Sequence, residues 1–312
     1  MSTVIFRRVA LLGGSGPLPA SFIEAFKQTG DEFDVTVLTR KESLEATKQA
    51  ISGFPQFSVR AIDYEEGDES DLVTALQGQQ VVISLLALSP IAMQVQTTVF
   101  RAALKAGVKW FLPSEFGLDL DVPAIRQSIM FAGKLAMRHD LESSDMAYTY
   151  IVAGAFAELF VNPFHDWDTA NRTIVVPDSG NMGQTKISFS TRRDIAQYTV
   201  AVLRRFDQFK NKTVRVASFT ASYIDWIEAI KSVRGVEFTP TFNPVTVLEN
   251  RLAEANAKVP VIVDSGYVAD QLHLAMAEGY GQLDVNGKRL DSEDLLEVTP
   301  TPLESVVRDI QL

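Results

Sequence analysis

The chain has 312 residues, about twice the usual domain length, so one large or two smaller units are expected. It is 46% apolar and 22% charged, which suits a globular protein with a substantial core, and 29 Lys and Arg against 39 Asp and Glu leave a net charge of -10. That balance argues against a nucleic-acid or anionic-membrane partner, and the absence of cysteine excludes disulfides, thiolate nucleophiles and Cys-ligated metal centres.

At the start, Arg7 and Arg8 precede an apolar run that is too short for an export signal and ends at Gly13-Gly14. No stretch offers the roughly 20 apolar residues of a membrane span, so a cytoplasmic location is expected. Val9 to Leu12 predicts a first strand, followed by Gly13-Gly14-Ser15-Gly16 and a helix marked by Leu18, Phe22, Ile23 and Phe26. Asp34 to Thr39 and Ser58 to Ile62 predict a second and third strand. Val81 to Leu86 predicts a fourth, apolar enough to be covered on both faces. A helix from about Ile91 to Ala106 ends at Gly107, a strand from Val108 to Leu112 is halted by Pro113, a helix runs through Lys134 to Leu141, and Tyr148 to Val152 is a sixth strand.

After Phe156 the rhythm changes. Pro163, Pro177, Gly180 and Gly183 punctuate short strands at Thr173 to Val176 and Lys186 to Phe189. A helix from about Arg193 to Phe206, a strand near Thr213 to Ala217 and a helix from about Tyr223 to Val233 follow, and the last third is helical in places and rich in proline. The fold class read from this pattern is α/β: a Rossmann-type doubly wound parallel sheet with a smaller, irregular α+β substrate domain. Residues 1–156 form the first domain, with returning segments in about 187–220, and 157–312 are mainly substrate-binding.

Gly13, Gly14 and Gly16 lie between the first strand and the first helix, where a dinucleotide fold brings backbone N–H groups to a pyrophosphate. Pro19 stands in place of the third glycine, and a tight structural turn is the other reading of the same residues. The second strand ends Thr39-Arg40-Lys41, with no acid at its tip to take ribose hydroxyls. Two cations there favour NADP(H) over NAD(H); the alternative is a pair of solvated surface charges.

None of the seven tyrosines has a lysine four residues later, so a Tyr-x-x-x-Lys pair is out and Lys134 is the candidate catalytic group. Held among apolar groups, a lysine would titrate nearer neutral pH; facing solvent, it would be an ordinary helix lysine. Phe156, Phe160, Phe164 and Trp167, with His165 and Met182 nearby, suit either an aromatic cleft with Phe160, Phe164 and Met182 as substrate contacts, or core packing. His139, His165 and His273 lack metal-ligand spacing, so no metal is expected.

Gly13-Gly-Ser-Gly16, Val81-Val-Ile-Ser84, Phe111-Leu-Pro-Ser-Glu-Phe-Gly117, Lys134, and Tyr148-Thr-Tyr-Ile with Phe156-Ala together resemble the NmrA-like and isoflavone reductase-like branch of atypical short-chain dehydrogenases. The resemblance extends over about the first 160 residues and more loosely to Val214. It implies NADPH with its pyrophosphate on Ser15, Gly16, Pro17 and Leu18, and its 2′-phosphate on Arg40 and Lys41. It places Leu86, Ala87, Leu88, Ser114, Glu115, Phe116, Gly154, Ala155 and Phe156 along the ribose and nicotinamide, and Lys134 at the family's catalytic lysine. Ala153-Gly154-Ala155 replaces the Ser-Asn-Cys common in the plant reductases of the branch, and Leu88 stands where histidine is common. The implied activity is NADPH-dependent reduction of a small aromatic or conjugated carbonyl, enone or benzylic ether by a monomer or homodimer. The alternatives are an NmrA-type regulator that binds the dinucleotide without turnover, and an epimerase or dehydratase that uses it transiently.

Overall fold

The structure, a computed structural model, describes residues 6–62, 69–258, 260, 263–285 and 289–312. Its elements in chain order begin with β1 (Arg8–Leu12), α1 (Pro17–Lys27), β2 (Asp34–Thr39), α2 (Leu44–Ala50), β3 (Phe57–Ala61), α3 (Glu69–Leu76), β4 (Val81–Ser84), α4 (Pro90–Ala106) and β5 (Trp110–Leu112). They continue with α5 (Pro123–Arg126), α6 (Ala132–Glu142), β6 (Ala147–Val152), β7 (Ala155–Phe156), β8 (Trp167–Asp168), β9 (Thr173–Asp178) and β10 (Ile187–Ser190). Next come α7 (Arg192–Leu203), α8 (Phe206–Phe209), β11 (Lys212–Arg215), β12 (Phe219–Ala221), α9 (Tyr223–Arg234) and β13 (Thr239–Pro244), and the chain closes with α10 (Val245–Asn256), α11 (Ser265–Ala277) and α12 (Leu303–Asp309). No helix among the described residues is long and apolar enough to cross a membrane.

Seven strands make one parallel sheet in the order β11-β6-β5-β4-β1-β2-β3. Alternate side chains of each strand feed opposite faces. Val9, Leu11, Val35, Val37, Val81 and Ile83 pack under α1 and α7, while Ala10, Leu12, Leu38, Val82 and Phe111 pack under α3, α4 and α6. A sheet covered on both faces needs apolar residues at successive positions, and β4 is buried at all of its residues. The chain runs outward from β1 to β2 and β3, then crosses back to β4. That reversal opens a crevice between the carboxyl ends of β1 and β4, the usual ligand position in such sheets.

The second lobe holds two three-stranded sheets, β12-β10-β7 and β13-β9-β8, and a core built on Phe160, Trp167, Phe189, Tyr223 and Trp226 with α9 and α12 packed over it. A smaller apolar cluster ties the 118–131 stretch to α10 and α11 through Leu120, Phe131, Leu252 and Tyr267. The chain re-enters the first lobe with α7 and β11, whereas β10 belongs to the second.

The strand predicted to Leu86 stops at Ser84, after which Leu85 is buried in the core, Leu86 is half-buried, and Ala87 and Leu88 are exposed. The helix predicted to Phe206 ends at Leu203, and the Arg205 side chain donates to the Ala201 carbonyl at 2.8 Å, satisfying an end that α8 does not continue.

Gly154, between β6 and β7, has φ +68, and an added Cβ would lie 2.1 Å from the Ser188 carbonyl oxygen of β10. Gly78 has a similar φ of +78 with nothing within 4 Å. Gly78→Ala should therefore cost about 1–2 kcal/mol, the left-handed penalty alone. Gly154→Ala adds a backbone collision and should lose at least about twice as much by urea unfolding. Equal losses would mean that the approach of β10 is not what requires glycine there.

Candidate active site

Gly13 leaves β1 with φ +106, donates its N–H to the Leu38 carbonyl at 3.0 Å and lies against Leu85, so the turn forms one lip of the crevice. Gly14 is held from the other side: a Cβ there would sit 2.6 Å from the Thr39 side chain, and Thr47 Oγ1 donates to the Gly14 carbonyl at 3.3 Å. Gly16 is the N-cap of α1 and offers no side chain, leaving the first turn open; Ser15, Gly16 and Pro17 are exposed and Leu18 half-buried. Pro17 and Pro19 have no N–H, so Leu18 supplies the one donor among the first three helical positions. Arg40 and Lys41 are exposed at the end of β2, whose Thr39 packs on the same turn. Arg40 pairs with Glu42 at 3.1 Å, an exposed contact weak enough to yield to an anion.

The other lip comes from the loops after β4 and β5. Ser114 Oγ donates to the Leu86 carbonyl at 2.6 Å and the Ser114 N–H donates to Gln96 Oε1 of α4 at 2.8 Å, which locks these two loops and α4 together. Ala87 and Leu88 are exposed. Phe116, Glu115 and Gly154, also expected along the cofactor, have internal contacts too. Phe116 is buried edge-on to Phe22 with centroids 5.6 Å apart, the Glu115 carboxylate is buried in an ion pair, and the Gly154 N–H donates to the Gly117 carbonyl. Ala155 and Phe156 remain half-exposed.

Lys134 sits in the first turn of α6 and is 8% exposed, so it is not a solvent-facing lysine. Its Nζ donates to the Glu115 carbonyl at 2.7 Å. Burial is the main cause that lowers its pKa; the Glu115 carboxylate works against the shift and the Arg138 guanidinium with it. The positive end of the α6 dipole also disfavours an ammonium at this position. Arg138 bonds Glu115 and Asp121, each at 2.9 Å, and lies 4.2 Å from the centre of the Tyr150 ring. Arg215 of β11 then bonds Asp119 at 2.7 Å and Asp121 at 2.8 Å. Arg138, Asp121 and Arg215 went unread in the sequence, although Arg138 at one helical turn from Lys134 on a buried face did signal a need for carboxylates.

The aromatic residues divide. Phe160 has no exposure and is ringed by Trp167, Phe189, Tyr223, Trp226 and His165 at 4.8 to 6.1 Å, so its assignment as a substrate contact is corrected to core packing. Phe164 and Met182 are exposed, Phe164 packing edge-on to His165. A separate cavity of about 450 Å³, lined by Glu158, Thr191, Arg193, Thr301 and Asp309 among others, contains none of the predicted site residues.

A sequence profile of the NmrA-like family matches residues 7–293. The chain is 28% identical over 272 residues to the isoflavone reductase homolog IRL of Zea mays, covering 84% of this chain and 85% of that protein. It is 31% identical over 222 residues to pinoresinol reductase 1 of Arabidopsis thaliana, covering 67% and 68%. The structure of a Citrobacter sp. triphenylmethane reductase complexed with NADP(H) superposes with a TM-score of 0.71 at 19% identity, covering 97% of this chain and 100% of that one, a likeness of fold.

His165 Nδ1 and His273 Nε2 lie 3.2 Å apart, joining the segment after β7 to α11. Burial, with His273 adding to it, pushes His165 down to about 3, and burial lowers His273 as well. The unfolded chain, titrating near 6.5, binds protons that the folded pair refuses, so this contribution is fully present above that pH and is lost as pH falls toward 3. Urea midpoints at about pH 7.5 and about pH 5.5 should fall more for the native chain than for a His165→Gln, His273→Gln double variant. Equal falls would mean that the pair is not held neutral.

Proposed function

The chain belongs to the NmrA-like family, and from that membership we propose that it is an NADPH-dependent reductase of a small aromatic or conjugated carbonyl, enone or benzylic ether, with Lys134 as its general acid/base. The observation that carries the reading is the burial of Lys134 at the carboxyl edge of a doubly wound sheet, with its Nζ anchored on the Glu115 carbonyl. A lysine in that setting gives up its proton more readily than one in water, which suits it to proton transfer near neutral pH.

The residues present fit the dinucleotide. The open first turn of α1, with Ser15, Gly16 and the Leu18 N–H, would hold the pyrophosphate. Because two prolines remove donors from that turn, more of the phosphate recognition falls to Arg40 and Lys41, which would take the 2′-phosphate. The loops that Ser114 ties together would border the ribose and nicotinamide through Leu86, Ala87 and Leu88, with Ala155 and Phe156 at the far end. NADPH, when bound, supplies the hydride. Lys134 Nζ would deliver or remove the proton on the substrate heteroatom, and the exposed Phe164 and Met182 are the remaining candidates for contacting a flat substrate.

Lys134→Ala should retain NADPH binding while turnover in a screen of quinones, enones, aryl ketones and benzylic ethers falls by about 10²-fold. Native-like turnover would remove Lys134 from the mechanism, and tight NADPH binding with no oxidation by the native chain would favour the regulator reading. Arg40→Ala with Lys41→Ala should weaken NADPH by about 10- to 100-fold and leave NADH nearly unchanged. Equal affinity of the native chain for both dinucleotides, measured by calorimetry, would overturn the phosphate assignment.

A further inference from the structure

Lys134 and Arg138 lie one turn apart on the buried face of α6, a spacing at which two cations repel. Glu115 touches both: its backbone carbonyl accepts from Lys134 Nζ at 2.7 Å, and its carboxylate accepts from Arg138 Nη2 at 2.9 Å. The guanidinium is held elsewhere by Asp121 and by the Tyr150 ring. We propose that Arg138 is a positioning residue for Lys134, acting through Glu115: by occupying the carboxylate it keeps the lysine on the backbone carbonyl, where it can serve as a proton-transfer group.

The argument is one of competition for a single buried anion. The Glu115 side chain is 1% exposed, so its charge must be met by a cation within the protein. Arginine remains protonated at any working pH and presents a fork that fits two acceptors. With Arg138 gone, Lys134, already bonded to the Glu115 carbonyl and under the influence of its carboxylate, would leave the carbonyl, pair with the carboxylate and hold its proton. The same logic runs backwards for Glu115: without its negative charge, Arg138 acts on Lys134 as an unbalanced like charge.

The groups around this pair come from five elements. The loop after β5 brings Glu115, Asp119 and Asp121, α6 brings Arg138, β6 brings Tyr150 bonded to Glu142, and β11 brings Arg215 on the two aspartates. From α4 come Met93, against Gly133 of α6, and Gln96, bonded to the Ser114 N–H, neither of which titrates.

The inference rests on the proposed role of Lys134, but its test needs neither NADPH nor substrate. In full-length protein carrying [ε-13C]lysine, the Lys134 signal is assigned by its loss in Lys134→Ala and its shift is followed against pH. Arg138→Met should raise the titration midpoint by about one unit or more, and Glu115→Gln should lower it. Arg138→Lys, which restores the charge without the fork, should bring the midpoint back toward the native value. Opposite shifts support the positioning role; no shift, or shifts in one direction for both, overturn it. Should Arg138→Met fail to fold, the absence of a fall in Glu115→Gln overturns it alone. Native-like turnover of Lys134→Ala would remove the proposed function while leaving these midpoints standing, so the two failures are distinguishable.

Discussion

A carboxylate with no route to water needs a cation, and Glu115 finds one in Arg138. Breaking one partner from such a pair leaves a buried charge uncompensated and typically costs about 3–5 kcal/mol. The pair fixes the path of the loop after β5, and that path sets where the Glu115 carbonyl meets Lys134, where Ser114 meets the β4 loop, and where Asp119 and Asp121 meet Arg215. Arg215 also donates its backbone N–H to Asp291, so the carboxy-terminal segment is drawn into the same network. One ionic contact thereby links the sheet edge, the loop after β5 and the segment around Asp291.

The parts legible in sequence are those governed by local periodicity. Asp34–Thr39 matches its predicted bounds because alternating β-branched residues flanked by polar ones specify a strand directly. Gly107 ends α4 in the left-handed conformation at φ 77, as its position implied. Two helices without predicted bounds, α2 and α10, lack a broad apolar stripe: α2 buries only Thr47, and α10 buries only Leu248 and Leu252.

The candidate site was legible in its residue types and opaque in its pairings. Lys134 stood out once Tyr-x-x-x-Lys was absent, but the carboxylate that meets Arg138 lies in a loop whose course only tertiary packing decides. Phe160 shows the converse failure. An aromatic among aromatics reads equally as cleft or core, and only the closing of α9 over β10 settles it as core. Gly14 belonged to the predicted phosphate turn, yet its lack of a side chain is also demanded by Thr39 beneath it.

The return of α7 and β11 to the first lobe bears on how the chain is born. β11 pairs with β6 from Lys212↔Thr149 onward, and α7 covers the sheet face beside α1, with Arg204 reaching back to Glu32 at 2.6 Å. A nascent chain ending at residue 156 would leave β6 as an open edge and one face of its sheet partly bare. The change of rhythm near residue 156 therefore does not separate folding units, and the sheet of the first lobe is complete only once β11 has been made.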